Sequence, residues 1–156
     1  MSENLRVGET KAESISGKLP AVDLYWWAML YLRLALGAAF LSAVADRFGF
    51  WGKYAGWGNF ANFTRYVGQV NSFMPASTIP FLAWAATAAE TSLGILLVLG
   101  VWTRWVALGS AILLAMFGTA MAISFGIKTP LDYSVFSASA GALLLALRAS
   151  KSRTIY

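Results

Sequence analysis

The sequence predicts an all-α membrane protein, a four-transmembrane-helix bundle with an amphipathic interfacial helix between spans 1 and 2. Three observations lead there. Of 156 residues, 58% are apolar and 12% charged, with a mean hydropathy of +0.62, too few charges to cover a soluble globule of this size. The apolar residues gather in runs of about 20, the length that crosses a hydrocarbon layer of about 30 Å as a helix. Leu, Ala and Met dominate the runs without strand-like alternation, which excludes a β-barrel.

Residues 1–24 mix Arg6, Lys11 and Lys18 with Glu3, Glu9, Glu13 and Asp23 and lack the apolar stretch of a secretory signal, so they read as a polar cytoplasmic tail. The spans are expected at about 25–48, 79–99, 105–125 and 131–147, making 25–148 the transmembrane domain and 149–156 a basic cytoplasmic tail. Pro20, Pro80 and Pro130 stand at starts and Gly49, Gly100 and Gly126 at ends, the asymmetry expected of helices. The connections 100–104 and 126–130 are tight turns, so spans 2–3 and 3–4 are antiparallel neighbours. The connection 49–78 is longer. In it Phe60, Phe63, Val67, Val70 and Met74 recur at helical spacing opposite Asn59, Asn62, Arg65, Gln69 and Ser72. That pattern is an amphipathic helix in the outer interface, either floating on the bilayer or closing the bundle as a lid. Ala35, Ala39 and Ala43, Ala85 and Ala89, and Ser134, Ala138 and Ala142 are expected to allow close helix contacts.

Four spans place both termini on one side. That side would hold Arg6, Lys11, Lys18, Arg104, Arg148, Lys151 and Arg153, against Arg47, Lys53, Arg65 and Lys128 on the other. The excess favours cytoplasmic termini. Trp26, Trp27, Trp102 and Trp105 would anchor one interface and Trp51, Trp57 and Tyr133 the other.

The sequence has no cysteine and no histidine, which excludes disulfides, thiol nucleophiles, a Ser-His-Asp relay and Cys- or His-ligated metal centres within the chain. No metal site is expected. The net charge of +5 is scattered among apolar spans and forms no groove for nucleic acid.

Arg33 and Glu90 lie deep in spans 1 and 2, where a lone charge costs about 2.5–3.5 kcal/mol. Counting 1.5 Å per residue puts Arg33 about 12 Å and Glu90 about 14 Å from the same interface, so an Arg33–Glu90 ion pair is expected to tie span 1 to span 2. These two are the catalytic candidates. Ala86, Thr87 and Gly94 leave space beside Glu90 for a water or a ligand head group. Arg47 shares a face of span 1 with Arg33, and Asp46 points elsewhere; both are candidate ligand or partner contacts beneath the outer loop. Tyr31 and Trp84 complete the expected ligand-binding set, with Trp51, Tyr54, Trp57 and Arg65 as an outer lid or partner surface. Arg104 is given a structural role, as is Asp132, which would cap span 4.

Span 1 reads YLRLALGAAFLSAVADRFGFWG, with Arg33, Gly37, Asp46 and Arg47; span 2 and its turn read AAETSLGILLVLGVWTRWVAL, with Glu90, Gly94, Gly100 and Arg104. In this order and layout the chain resembles the DoxX/DoxD family of small four-span bacterial and archaeal membrane proteins over about residues 25–148. The resemblance implies a cytoplasmic-membrane bundle related to subunits of thiosulfate:quinone oxidoreductase, with Arg33, Glu90 and Arg104 at the family's polar positions. A histidine common in the family is replaced here by the run Phe40-Leu41-Ser42-Ala43-Val44, which removes any imidazole role.

The expected function is a quinone-interacting or accessory subunit of a membrane redox complex, without a covalent cofactor. Its expected partners are the lipid bilayer, a redox protein subunit supplying electrons, and further copies of the chain. One alternative is a non-catalytic scaffold or assembly protein with a structural ion pair. A weaker one is a small-molecule conduit formed by an oligomer.

Overall fold

The computed structural model describes residues 21–151, with side chains over 24–149; of the predicted tails 1–24 and 149–156, residues 21–24 and 149–151 belong to helices and the rest lies outside the described residues. The described residues are helical and turn, with no strand among them. Helix α1 is Ala21–Arg47, α2 is Phe60–Val70, α3 is Ile79–Leu99, α4 is Thr103–Phe125, α5 is the short Lys128–Asp132, and α6 is Val135–Lys151. Single 3₁₀ turns, Gly52–Tyr54 and Ala76–Thr78, lie in the long connection.

The described residues divide between Leu30 and Tyr31 into two units. The first unit contributes the beginning of α1, where the Trp26 and Trp27 rings meet edge to face at 4.7 Å. All that follows concerns the unit from Tyr31.

Three helices are long and apolar enough to cross a membrane: Leu24–Arg47, Ala76–Leu99 and Thr103–Phe125. The helix expected over 79–99 is found at Ile79–Leu99, with Pro80 in its first turn. Its end is set by Gly100 at φ 75°, whose N–H bonds the carbonyls of Leu96 and Leu97, while Val101 N–H also returns to Leu96. Only glycine adopts that left-handed turn freely.

The last apolar helix differs from expectation. Val135–Ala149 is shorter than the other three, and it starts beyond Leu131 because residues 128–132 coil into α5. The break falls at Ser134, held at φ 55°. Nothing in the run Leu131-Asp132-Tyr133-Ser134 signals a stop, since its neighbours are neither glycine nor a second proline. Asp132 consequently caps nothing: it closes α5, and its carboxylate receives Lys128 Nζ at 2.5 Å on the exposed surface. A pair of that kind is worth no more than about 0.5 kcal/mol.

Helix α2 packs against α3 and α4. Asn59 caps it by accepting the Asn62 N–H at 2.9 Å. Its buried Phe63 and Val67 join Ile79 and Ala83 of α3 in one core, flanked by Trp57, Phe60, Leu82 and Ala86. From α4, Ser124 Oγ donates to the Val70 carbonyl at 2.6 Å and fixes the far end of α2. The polar side, with Asn59, Arg65 and Gln69, stays exposed.

Small residues govern contacts between the long helices, at Ala142 as expected but otherwise at different positions. Ala35 and Ala39 of α1 and Ala85 of α3 face outward. The close approach of α1 and α3 runs instead through Gly37 and Gly94: a Cβ on Gly37 would stand 3.0 Å from the Gly94 carbonyl oxygen and 2.8 Å from Val98 Cγ2. Between α4 and α6, the buried Ala107, Ala111 and Ala142 make room, and Ser139 Oγ donates to the Ala111 carbonyl at 2.7 Å.

Candidate functional site

The last turn of α1 carries Asp46 and Arg47 side by side, and each builds a different half of the site. Arg47 turns inward and is only 2% exposed. Its Nη2 donates to Glu90 Oε2 at 2.5 Å and its Nη1 to Thr87 Oγ1 at 2.9 Å. The Thr87 hydroxyl passes its own proton to the Ala83 carbonyl at 2.8 Å, which fixes the lone pair it offers the guanidinium. Glu90 is equally buried, at 3%. Aromatic rings close the other side: the Phe63 centroid is 3.8 Å from Arg47 Cζ, and the Trp57 ring is 5.8 Å away. A desolvated cation over such ring faces gains about 2 kcal/mol.

The expected Arg33–Glu90 pair is therefore corrected. The partner of Glu90 is Arg47, and no acceptor is found for Arg33 Nε. Side chains on a helix lean toward its own N-terminus. Helices α1 and α3 run antiparallel, so Arg47 leans back along α1 toward Glu90, and Glu90 leans toward the start of α3 to meet it. Arg33 leans the same way along α1, which from its position leads away from Glu90 and brings its guanidinium against Gly100 at the C-terminal end of α3. A cation there complements the negative end of the helix dipole. The depth count matched Arg33 to Glu90 because it set Arg33 well inside the level at which α3 ends, whereas its guanidinium lies at that end, beside Gly100.

The space expected beside Glu90 is filled. Leu41 lies over Gly94, where an added Cβ would meet its Cγ at 2.9 Å, and the guanidinium occupies the Thr87 side.

Asp46 holds the loop. Its Oδ1 and Oδ2 accept the Gly56 N–H at 2.9 and 3.1 Å, and Oδ2 also accepts the Trp57 N–H at 3.1 Å. Trp51 Nε1 donates to the Ser42 carbonyl at 3.1 Å, a second tie between loop and α1. Trp57, expected as an interfacial anchor, is instead half-buried among Arg47, Phe63 and Tyr66. Replacing Asp46 with asparagine is expected to leave the helices in place while costing about 1 kcal/mol locally. Hydrogen exchange at the Gly56 and Trp57 amides should accelerate; unchanged exchange would refute the tie.

Other expected site residues are dispersed. Tyr31 is 77% exposed on α1 and takes no part in the network. Trp84 is 56% exposed and lies against Phe60 at 4.2 Å, next to the site but outside its polar centre. Tyr54 is exposed, with Lys53 Nζ 5.1 Å from its ring, and Arg65 donates to Asn62 Oδ1 at 3.3 Å on the open side of α2. Arg104 sits over its neighbour Trp105 at 5.1 Å, far along the sequence from the Arg47 cluster. Tyr66, on α2, has its phenol pushed above the usual range by burial and secondarily by Tyr133, so it stays a neutral donor at physiological pH. Among the described residues no group of acidic side chains could hold a metal ion.

Two members of the network carried sequence signals that singled out other roles. Thr87 lies three residues before Glu90 and so shares its face, and Phe63 is central to the apolar stripe of α2.

The DoxX family model matches residues 28–123, more than half of the chain, and the match contains Asp46, Arg47, Phe63, Thr87 and Glu90. No curated protein and no solved structure matches the chain.

Proposed function

The chain belongs to the DoxX family, and from that membership together with the buried Arg47–Glu90 pair we propose that it is a quinone-interacting accessory subunit of a membrane redox complex. In this reading the protein is a multi-pass protein of the cytoplasmic membrane with α6 as its fourth span and both termini cytoplasmic. Helix α2 then lies at the outer interface, its exposed Arg65 and Gln69 toward water.

One observation carries the reading: a cation and a carboxyl group are buried together beneath two aromatic rings. A quinone is an apolar ring with two carbonyls, and it needs hydrogen-bond donors inside an apolar surround. Arg47 supplies the donor, Phe63 and Trp57 supply ring faces, and Glu90 is placed to take or give a proton. With neither cysteine nor histidine in the sequence, the electrons come from a partner subunit.

The test is equilibrium binding of a decyl-substituted benzoquinone to the protein in lipid nanodiscs, for the wild type and Glu90→Gln. Saturable wild-type binding that weakens in Glu90→Gln is expected. No saturable binding to the wild type, or equal binding by both, rejects the quinone role.

A second reading, a scaffold whose ion pair is structural, is favoured by one fact. The same two helices already meet at Gly37 and Gly94, so the pair can serve as a register pin. A folded Arg47→Glu, Glu90→Arg double variant that retains function in the cell would select this reading.

A further inference from the structure

Arg47 has one guanidinium nitrogen that its partners leave without a hydrogen bond. With Nη1 on Thr87 and Nη2 on Glu90, its Nε–H has no acceptor, although the residue is 2% exposed. A buried charged donor is costly to leave unmade. Arg33 Nε shares that status, but on a part-exposed side chain.

A run of rings leads from Arg47 to the surface. Phe63 lies over the guanidinium at 3.8 Å, Phe60 is 5.9 Å from Phe63, and Phe60 in turn stacks with Phe48 at 5.9 Å and meets Trp84 at 4.2 Å. Trp84 and Phe48 are exposed, at 56% and 47%, and Trp84 belongs to a helix apolar enough to cross a membrane. The approach from the loop side is closed by contrast. There Asp46 holds Gly56 and Trp57 by their backbone N–H groups, and Trp57 reaches over Arg47.

We infer that a flat apolar ring bearing a carbonyl group enters sideways from the bilayer between Phe60 and Trp84, and that its carbonyl oxygen accepts the Arg47 Nε–H. The inference rests on the quinone reading and adds to it the seat of the ligand and its route. Ring–ring contacts at these spacings exchange readily for contacts with an entering ring, because offset and tilted arrangements are close in energy. The selection is twofold. The doorway admits aromatic or quinoid rings from the lipid phase, and the unpartnered Nε–H retains those that carry an acceptor. A hydrophilic anion satisfies the second condition and fails the first.

The experiment is stopped-flow quenching of tryptophan fluorescence by a decyl-substituted benzoquinone, with the full chain in nanodiscs. Arg47→Lys keeps a cation for Glu90 but has no counterpart of Nε–H. Its affinity is expected to fall at least about tenfold, with association little changed. Phe60→Trp narrows the doorway and should slow association several-fold while leaving equilibrium affinity nearly unaltered. Trp84→Leu should remove the earliest part of the quenching. Wild-type affinity in Arg47→Lys overturns the seat, and wild-type association in Phe60→Trp overturns the route; both leave quinone binding itself intact. If Arg47→Lys fails to fold, the Phe60 and Trp84 variants still decide the route, and a decyl-substituted benzene, a ring of similar size without carbonyls, decides the seat: equally tight binding overturns it and weaker binding supports it. Absence of any saturable quench in the wild type removes the reading on which the inference stands.

Discussion

Glu90→Leu is expected to destabilise the protein by about 3–5 kcal/mol, more than any other single change at the polar centre. The reason is an asymmetry between the partners. A carboxyl group left alone can bind a proton and become neutral, but a guanidinium retains its charge under all accessible conditions. Glu90→Leu therefore strands a cation at a position that is 2% exposed, with only the Thr87 hydroxyl and the ring faces of Phe63 and Trp57 to compensate it. Arg47→Met, which leaves the acid behind, should cost less. The double variant Arg47→Met, Glu90→Leu removes both charges and fills the gap with apolar atoms, so it should recover most of the loss, since a buried pair gains little over a hydrophobic isostere. Reversible unfolding in detergent measures all three. Equal costs for the two single variants, with no recovery in the double, would contradict the network as described.

The same centre shows how far the sequence could be read. The long helices were legible because a run of about 20 apolar residues bounded by proline and glycine has few alternatives. Helix α2 was legible as an amphipathic helix, but its packing against α3 and α4 was not. Packing against α4 depends on Ser124 reaching the Val70 carbonyl, a contact some fifty residues distant in sequence. Glu90 was paired in the sequence with Arg33, whereas the structure pairs it with Arg47. Arg47 stood out as the charge on the right face of α1, yet the end of a helix reads as surface, and its lean back into the helix pair is visible only when side-chain direction is added to depth. Alanine stripes pointed to close packing in general without saying which stripe is used: Ala35 and Ala39 face outward, and the contact falls on the glycines. The break before α6 had no sequence marker, because Ser134 takes a left-handed conformation that Asn or Gly would have advertised.

Gly37→Leu is the second change expected to act strongly, and it acts on the ion pair from a distance. Between apolar helices in lipid there is little hydrophobic drive, so close backbone approach supplies much of the attraction. At Gly37 an added Cβ meets the Gly94 carbonyl oxygen at 3.0 Å, which is backbone and cannot swing aside, as well as Val98 Cγ2 at 2.8 Å. At Gly94 the nearest atoms, Leu41 Cγ at 2.9 Å and Cδ2 at 3.0 Å, belong to a side chain that can be shortened, and the Gly37 carbonyl oxygen stands farther off, at 3.3 Å. Two consequences separate the sites. Gly94→Ala should be largely rescued by Leu41→Ala, whereas Gly37→Ala should be relieved only in part by Val98→Ala, because the carbonyl remains. Gly37→Leu adds about 1–3 kcal/mol of overpacking and forces α1 away from α3, which also stretches the 2.5 Å contact of Arg47 with Glu90. Its cost should therefore shrink in the Arg47→Met, Glu90→Leu background, where no ion pair is left to stretch. An identical cost in both backgrounds would mean that the glycine contact and the charge pair hold the two helices independently.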